Sequence, residues 1–268
     1  MKNFGNYNKY PNFITCKEYV NQLKQENFKT LEKLETPPEI LFITHDLKWD
    51  GSYIKGLQKD CDEYGIKLNV MEHEDDFIYL DNKIIYTPFI VGSSTWVLGS
   101  EQDDNIGYYD IDMQRPELSY FYTNCTTFAV ESYLEKIGYD YTGKKICVVG
   151  RGQAGLDLAN NLIEDTDATV TVCNSKTKNI IDIFRNSDLI ITAIDKVNQF
   201  DMTDIHVPVI DIGLGLGIDN KLHGNVIEDT ISDDLDFCAT GINTIGPITR
   251  QMLIRRAIYC QQGDEFGC

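Results

Sequence analysis

The chain has 268 residues, 42% of them hydrophobic, and a formal net charge of −18, which allows one large α/β domain or two modest ones. This charge argues against a nucleic-acid partner, because neutralising phosphates requires clustered Lys and Arg. No apolar run approaches the ~20 residues of a membrane-spanning helix, and the amino terminus lacks the apolar stretch of a secretory signal. We therefore expect a cytoplasmic protein with no membrane partner.

The first 120 residues alternate helical and strand-like segments. Apolar residues near helical spacing predict helices at 15–34 and 52–66, the second of which is closed by Gly65. Short apolar runs predict strands at 39–44, 67–73 and 83–91. Residues 99–119 show little periodicity and are interpreted as a long loop, which in a compact domain is often functional. The strand–helix–strand order indicates three layers around a parallel sheet.

From residue 126 onward the alternation becomes clearer. A helix is predicted at 126–138, a continuous apolar strand at 144–150 and a helix at 155–165. The pattern continues as strand, helix, strand and strand at 168–174, 178–187, 188–194 and 207–213. The sequence therefore predicts an α/β protein with two three-layer α/β domains, the second a Rossmann-like doubly wound parallel sheet.

A glycine-rich turn lies between a predicted strand and a predicted helix of this second region. Residues 150–155 read G-R-G-Q-A-G, which matches G-x-G-x-x-G in the strand-to-helix context that the pattern requires. Gly150 permits the tight turn, Gly152 lets the backbone approach a pyrophosphate, and Gly155 lets helix and strand pack closely. The helix amino terminus adds N–H groups and a positive dipole end. We therefore expect a dinucleotide site here.

The end of the second strand indicates which dinucleotide binds. Sites that prefer NAD usually carry Asp or Glu there, to bind the ribose 2′-hydroxyl. Here residues 173–177 read C-N-S-K-T, without a carboxylate. A hydroxyl and an ammonium suit a 2′-phosphate, as does Arg151, although a solvated loop position explains Lys176 equally well. NADP is favoured, with NAD as the alternative, and Arg151, Asn174 and Ser175 are predicted cofactor contacts.

The eight cysteines predict neither a disulfide framework nor a metal site. They contain no C-x-x-C pair, and no Cys/His cluster has zinc-finger spacing. Cys147 and Cys173 lie in apolar, strand-like runs, where a thiol behaves as a small hydrophobe. We therefore expect reduced, mostly structural cysteines and no bound metal.

Three segments of the second half are distinctive when taken together: ATVTVCNSKTKN at 168–179, VIDIG with KLHGNV at 209–213 and 221–226, and INTIGPIT at 242–249. They resemble the methylenetetrahydrofolate dehydrogenase/cyclohydrolase family, which reads ATVTxCHSxT, VIDVG…GDV and PGGVGPMT at the corresponding places. In the first half, N-C-T-T at 124–127 resembles its P-C-T-P, and residues 52–66 resemble its Y-V-x-x-K-x-x-x-C-x-x-x-G-I helix. The likeness covers most of residues 39–260.

The resemblance implies a two-domain enzyme. It implies a folate-binding catalytic domain at 1–121, an NAD(P)-binding Rossmann domain at 122–246, and a final helix at 247–262 that packs back on the first domain. It also implies a cleft between the domains and a homodimer. The implied partners are tetrahydrofolate derivatives. Thr249 resembles a cofactor contact of the family, and it would also suit the start of the final helix.

The first domain departs from the family at its catalytic helix. Tyr53 matches the tyrosine that lies against the folate. Leu57, four residues later on the same helical face, stands where the family has its catalytic lysine. Lys55 and Lys59 each lie roughly 200° from Leu57 around the helix, so neither replaces that lysine. Tyr53 and Leu57 are therefore predicted substrate contacts, and the lysine's chemistry is missing.

Two further family positions fall in the less regular part of the first domain. Tyr86 stands where the family has a glutamine that supports the lysine, so it takes a catalytic position. The aspartate that holds the pterin in the family falls on Ile106, and a shift of a residue or two would bring Asp103 or Asp104 there instead. Asp104 and Ile106 are therefore predicted substrate contacts.

These residues predict a dehydrogenase that oxidises 5,10-methylenetetrahydrofolate to 5,10-methenyltetrahydrofolate with NADP⁺. Hydride transfer chiefly needs orientation of the two reactants, whereas hydrolysis of the product needs acid–base groups that Leu57 and Tyr86 do not supply. Members of the family that only oxidise similarly lack the lysine and the glutamine. Two alternatives remain: a non-catalytic folate- or dinucleotide-binding homologue, and another NADP-linked two-domain oxidoreductase resembling shikimate dehydrogenase.

Overall fold

The computed structural model of the protein describes residues 1–44, 47–72, 77–79, 89–91, 96–98, 111–112 and 122–262. The chain divides into two compact units. Unit 1 comprises Met1–Asn21 and Thr126–Thr249, and unit 2 comprises Gln22–Cys125 and Arg250–Cys268. Within the described ranges, no helix has both the length and the apolar character needed to cross a membrane.

The elements are numbered in chain order over the described residues. The strands are β1 (Lys2–Gly5), β2 (Glu39–Thr44), β3 (Lys67–Glu72), β4 (Phe77–Tyr79), β5 (Phe89–Val91), β6 (Trp96–Leu98), β7 (Lys145–Val149), β8 (Thr169–Cys173), β9 (Leu189–Thr192), β10 (Val209–Asp211), β11 (Leu214–Leu216), β12 (Leu222–Gly224) and β13 (Phe237–Thr240). The helices are α1 (Cys16–Leu31), α2 (Leu47–Tyr64), α3 (Cys125–Ile137), α4 (Gln153–Asp165), α5 (Ile180–Arg185) and α6 (Ile245–Gln262).

The main sheet of unit 1 has the strand order β1-β13-β10-β9-β7-β8. Its strand pairs are parallel except for β1 with β13. From β7 the chain passes to β8 on one side and then to β9 on the other, so the strand order reverses between β7 and β9. In doubly wound folds, ligands bind outside the carboxyl ends of the strands at this point. The predicted α/β class and doubly wound parallel sheet are confirmed.

Burial in this sheet follows the position of each strand. In β7 the first residue is exposed and the other four are buried, and every residue of β9 and β13 is buried. Central strands of a parallel sheet are covered on both faces, which explains their unbroken apolar runs. At the edge, Thr169 and Thr171 of β8 are exposed. The apolar runs were visible in the sequence because burial on both faces leaves few positions for polar side chains.

The amino terminus belongs to unit 1, which differs from the predicted first domain at 1–121. β1 pairs antiparallel with β13 and covers an edge that would otherwise be unpaired. Asn3 reinforces the pairing, since its Nδ2 donates to the Cys238 carbonyl at 3.1 Å and its Oδ1 accepts from the backbone N–H of Cys16. A four-residue edge strand is too short to show periodicity, and its partner strand lies near the other end of the chain.

Unit 2 is built around the parallel strands β3-β2-β5. The predicted strand–helix–strand unit is confirmed as β2, α2 and β3, although α2 begins at Leu47, before the predicted start at residue 52. Of the predicted strand at 83–91, only β5 is described. Of the predicted loop at 99–119, only residues 111–112 are described.

From Arg250 onward, α6 belongs to unit 2 and contacts α1 and α2 there. The backbone carbonyl of Gln251 accepts a hydrogen bond from Asn27 Nδ2 at 3.0 Å, and its Oε1 accepts one from the Tyr64 hydroxyl at 2.7 Å. Gln251 is fully buried. The hydrogen bonds to its carbonyl and Oε1 join α6 to α1 and α2 within unit 2.

The cysteines in the described residues are buried free thiols. Cys147 and Cys173 lie on neighbouring strands with their Sγ atoms 3.7 Å apart. Burial raises the pKa of the Cys147 thiol well above its usual range, so it stays protonated and unreactive. These thiols pack as small hydrophobes, as the sequence predicted.

Candidate functional site

A cavity of about 570 Å³ lies at the carboxyl ends of β7, β8 and β9, where the strand order reverses. It is lined by Val149, Gly150, Arg151, Gly152, Asn174, Ser175, Thr177, Ile180, Ile194, Asp195, Lys196, Gln199 and Phe200. These residues lie at the carboxyl ends of three adjacent strands and in the segments that follow them. The structure thus brings together the glycine turn and the predicted 173–177 segment, at the place where a doubly wound sheet binds its ligand.

The three glycines of the turn have different surroundings. Gly150 has φ = +137°, and a Cβ atom there would lie 2.1 Å from the Ala193 carbonyl oxygen. A Cβ atom at Gly155 would lie 2.8 Å from the Gly150 carbonyl oxygen, so α4 packs tightly on the turn. Gly152 instead has no atom within 4 Å of its Cβ position. Two glycines thus shape the turn, and the third leaves open space above the backbone.

Gly152 is also the N-cap of α4, where it has an extended backbone and no side chain to cap the helix. A helix amino terminus presents N–H groups that lack intrahelical partners, together with the positive end of the helix dipole. Open space over bare backbone at such a terminus fits a phosphate group. The residues present therefore fit the pyrophosphate of a dinucleotide.

The turn after β8 is held by Asn174. Its Oδ1 accepts the backbone N–H of Lys176 at 2.8 Å, and its own N–H donates to the Thr177 hydroxyl at 2.9 Å. Asn174 therefore shapes the turn as well as lining the cavity. Ser175 is exposed and lines the cavity, whereas Lys176 is exposed without lining it. The turn contains no carboxylate that would repel a 2′-phosphate.

Two cations line the cavity, Arg151 and Lys196. Both are exposed, and over the described part of the chain neither side chain makes a hydrogen bond or ion pair. Asp195 is the acidic residue of the lining. In a chain of net charge −18, unpaired cations at one cavity provide the local positive potential that an anionic ligand needs. Lys196 was missed in the sequence, although its place just after β9 is a signal that this fold offers.

A buried carboxylate joins the end of β9 to the segment that follows β12. Asp211 accepts the Thr192 hydroxyl at 2.8 Å on Oδ1 and the backbone N–H of Val226 at 3.0 Å on Oδ2. Burial raises the pKa of Asp211 to about 6, while these hydrogen bonds act in the opposite direction. Asp211 is 3% exposed and does not line the cavity. Its hydrogen bonds hold the strand ends beneath the cavity in place.

Thr249 occupies a different environment from the one predicted. α6 begins at Ile245, two residues before the predicted start at 247, so Thr249 lies in the second turn of the helix. Its side chain is buried, and the hydroxyl donates to the Ile245 carbonyl at 3.2 Å. Thr249 is therefore not a helix-start residue, and it is absent from the lining of the cavity.

In unit 2, Tyr53 and Leu57 lie on α2 one turn apart. Tyr53 is half-buried, and its ring centroid lies 5.9 Å from that of Phe42 on β2. Burial raises the pKa of Tyr53 well above its usual range, the Asp112 carboxylate raises it further, and Arg250 lowers it. The Tyr53 hydroxyl therefore remains protonated at any physiological pH.

Leu57 is fully buried. Lys55 and Lys59 are exposed, as their angular separation from Leu57 predicts. The predicted site residues Tyr86, Asp104 and Ile106, with the alternative Asp103, lie outside the described residues, and so their placement stays a prediction.

Asp112 is a candidate residue that was missed in the sequence. Its Oδ1 accepts the backbone N–H of Cys125, the first residue of α3, at 2.8 Å. Its negative charge also raises the pKa of Tyr53. A carboxylate at a helix amino terminus is favourably placed. A signal was present, since residues 110–112 read D-I-D, the same pattern as the start of the family's D-V-D-G segment. The prediction instead placed that segment at residues 104–107.

Known proteins with a similar sequence or a similar fold match this chain over most of its length. The bifunctional protein FolD of Campylobacter concisus is 28% identical over 255 residues, covering 87% of this chain and 90% of that protein. Among solved structures, the bifunctional FolD enzyme of Campylobacter jejuni has a TM-score of 0.74 at 22% identity, covering 92% of this chain and 97% of that one.

A second solved structure is the Trypanosoma brucei methylenetetrahydrofolate dehydrogenase-cyclohydrolase, complexed with NADP cofactor and inhibitor. It has a TM-score of 0.72 at 18% identity, covering 93% of this chain and 97% of that one. At these identities the two solved structures show a shared fold.

The family model for the tetrahydrofolate dehydrogenase/cyclohydrolase NAD(P)-binding domain matches residues 124–264. The matched region contains the glycine turn, the cavity and the whole of α6. Since it covers more than half of the chain, the protein belongs to the tetrahydrofolate dehydrogenase/cyclohydrolase family.

Proposed function

We propose that the protein is an NADP-dependent methylenetetrahydrofolate dehydrogenase with little or no cyclohydrolase activity. Unit 1 would bind the nicotinamide cofactor, and unit 2, with α6 from Arg250 onward, would bind the folate. The proposed assembly is a homodimer, as the family resemblance implies. The resemblance to shikimate dehydrogenase is set aside, because the matched family is a different one.

The residues that line the cavity of unit 1 favour NADP over NAD as the cofactor. Gly152 and the amino terminus of α4 would hold the pyrophosphate through backbone N–H groups. Arg151 and Ser175 would bind the 2′-phosphate, since guanidinium and hydroxyl groups pair with phosphate oxygens and the 173–177 turn has no carboxylate. The trypanosomal relative in the fold comparison is itself complexed with NADP. The bound nicotinamide would supply the hydride acceptor.

Unit 2 supports folate binding through Tyr53 and Asp112. A half-buried ring offers a flat surface for a pterin or aminobenzoyl ring. A carboxylate accepts N–H donors, of which a reduced pterin has several. We assign this role to Asp112, because its Oδ1 accepts the backbone N–H of Cys125 at the start of α3 and its carboxylate raises the pKa of Tyr53. The Tyr53 hydroxyl, which stays protonated, would orient the substrate and would not act as a base.

The observation that carries the proposal is the burial of Leu57. It stands where the family has its catalytic lysine, and its side chain is fully buried. Hydrolysis of the methenyl product needs a group that moves protons, which contributes about 10²–10⁴-fold. Oxidation needs only that the substrate carbon meet the hydride acceptor in the right geometry. Losing the lysine therefore removes hydrolysis and leaves oxidation.

Assaying both reactions in one preparation tests the proposal. NADPH formation is followed with methylenetetrahydrofolate and NADP⁺, and again with NAD⁺. Decay of methenyltetrahydrofolate is followed against its buffer-catalysed background. We expect NADPH formation without accelerated decay. Methenyltetrahydrofolate decay as fast as NADPH formation would overturn the proposed lack of cyclohydrolase activity. Absence of both activities would overturn the proposed dehydrogenase and support a non-catalytic folate- or dinucleotide-binding homologue.

A further inference from the structure

Arg250 is fixed against α2 by a buried carboxylate. Its Nε donates to Asp60 Oδ2 at 2.6 Å, and the two side chains are 18% and 7% exposed. Lys24 Nζ lies 3.3 Å from the other oxygen of Asp60. One carboxylate thus binds two cations, and the Arg250 guanidinium is held in a defined position on the helix that carries Tyr53 and Leu57.

A glycine in α2 makes room for this guanidinium. A Cβ atom at Gly56 would lie 2.9 Å from Arg250 Cζ and 3.1 Å from Nη1. Any other residue at position 56 would therefore push the guanidinium away from the helix. Glycine in a helix interior lowers helix stability relative to alanine. At position 56 it also leaves the space that the Arg250 guanidinium occupies.

The bond to Asp60 uses one of the donors of Arg250. Guanidinium carries five N–H donors in a planar fork. Over the described residues, its terminal Nη atoms donate to no acceptor. These donors lie beside Gly56, next to Leu57 in the chain, and the charge acts on the Tyr53 hydroxyl by lowering its pKa. Arg250 therefore presents unused donors on the part of α2 that carries Tyr53.

We propose that Arg250 is a substrate-binding residue, whose terminal N–H groups donate to an oxygen acceptor of the bound folate. This inference rests on the proposed function. The acceptor is either the pterin carbonyl or a glutamate carboxylate, both of which a guanidinium binds well. Arg250 supplies a fixed positive charge near Leu57, which is uncharged where the family has a lysine. A guanidinium is always protonated, so it orients substrate without moving protons, in agreement with oxidation alone.

Gly56→Ala tests this inference without removing any charge. The added methyl group displaces the Arg250 guanidinium, while the helix itself becomes more favourable. The matched control is Gly51→Ala, which adds the same methyl group to the same helix. A Cβ atom at position 51 would have no other atom within 4 Å. We expect Gly56→Ala to raise the KM for methylenetetrahydrofolate about tenfold, in the range for a charge-assisted hydrogen bond. The KM for NADP⁺ should not change, and thermal melts of both variants measure how much stability is lost when the Arg250–Asp60 pair is disturbed.

Equal folate KM values in Gly56→Ala and Gly51→Ala would overturn the inference. A wild type without NADPH formation would count against the proposed function instead. Calorimetric binding of tetrahydrofolate then makes the same comparison without turnover, with about tenfold weaker binding expected only in Gly56→Ala. Arg250→Lys keeps the charge but loses the fork, so it should weaken folate binding and should not affect NADP⁺ binding.

A substrate without glutamate identifies the acceptor. With the methylene derivative of tetrahydropteroate, the ratio of KM values between Gly56→Ala and wild type falls to one if Arg250 binds the glutamate. It stays near tenfold if Arg250 binds the pterin carbonyl. A ratio of one with both substrates would show that the Arg250–Asp60 pair only joins the helices.

Discussion

The side-chain amide of Asn225 holds both backbone polar groups of Ile194. Asn225 Nδ2 donates to the Ile194 carbonyl at 2.6 Å, and Oδ1 accepts the Ile194 N–H at 3.0 Å. The same Nδ2 donates to the Lys196 carbonyl at 2.8 Å. Asn225 is fully buried, so these bonds fix the loop that brings Asp195 and Lys196 to the cavity. The family segment that KLHGNV resembles reads G-D-V, with aspartate at this position.

Asn225→Asp should therefore disrupt the cofactor loop, even though it restores the family residue. A carboxylate cannot donate to the carbonyls of Ile194 and Lys196, and it would face both of their oxygens. We expect a loss of about 2 kcal/mol or more in the free energy of unfolding, seen as a lower melting temperature, with a higher KM for NADP⁺. Asn6→Asp is the control, because Asn6 is exposed and, over the described residues, its side chain accepts the N–H of Asn8 and donates to no acceptor. Equal melting temperatures for the two variants would contradict the prediction.

Arg151→Ala should discriminate between the two dinucleotides. If Arg151 binds the 2′-phosphate, its loss raises the KM for NADP⁺ about tenfold or more and leaves the KM for NAD⁺ nearly unchanged. The comparison is made by steady-state kinetics at constant ionic strength. Arg185→Ala is the control, since Arg185 is a surface residue paired with Asp182. Equal increases for both dinucleotides would show that Arg151 does not read the 2′-phosphate.

Tyr53→Phe and Tyr53→Ala should differ strongly. The ring face is expected to contact the folate, and the hydroxyl stays protonated, so removal of the hydroxyl alone should change folate affinity little. Removal of the ring should weaken folate binding about tenfold or more, since aromatic contacts add to buried area. Tetrahydrofolate binding by calorimetry gives the comparison. If neither variant alters the affinity, Tyr53 lies outside the substrate site.

Leu57→Lys should introduce methenyltetrahydrofolate hydrolysis, alone or together with Tyr86→Gln. The wild type is expected to lack it, because a leucine neither donates nor accepts a proton. Leu57 is fully buried, so the new lysine would have a lowered pKa, which favours acid–base work near neutral pH. Hydrolysis is measured as methenyltetrahydrofolate decay above background, with Lys55→Leu as a control at an exposed position. Wild-type hydrolysis as fast as hydride transfer would contradict the prediction and direct attention to other groups.

Glu131→Gln should stabilise the protein only at higher pH. Burial raises the pKa of Glu131 to about 7, Asn161 lowers it by a hydrogen bond, and Asp165 raises it. A raised folded-state pKa means that stability is greatest below the unfolded value of 4.5 and falls as pH rises through 7. We expect a gain of about 1–2 kcal/mol at pH ~8, after allowance for partial exposure, and almost none at pH ~4.5.

Thermal melts at the two pH values measure this gain. Glu135→Gln is the matched control, because Glu135 lies on the same helix α3 and is exposed. The same stabilisation of Glu131→Gln at both pH values would contradict the titration, and a gain in the Glu135 variant would point to the net charge of the chain instead.

Local features of the sequence determined the fold class and one half of the site. The apolar run at 144–150 predicted β7, because a strand covered on both faces has no polar positions. The turn at 150–155 predicted the cofactor cavity, because Gly150 and Gly155 have no room for a side chain. In each case the requirement acts within a few residues of the chain, so the sequence shows it directly.

Tertiary structure alone decided the contacts between distant segments. β1 covers the edge of β13, Asp60 binds Arg250, and Asn225 holds the loop at Ile194. Hydrophobic periodicity reports which face of a segment is buried, but it does not identify the segment that buries it. The partners are selected when the whole chain packs, since a buried polar group is stable only where a distant group completes its hydrogen bonds.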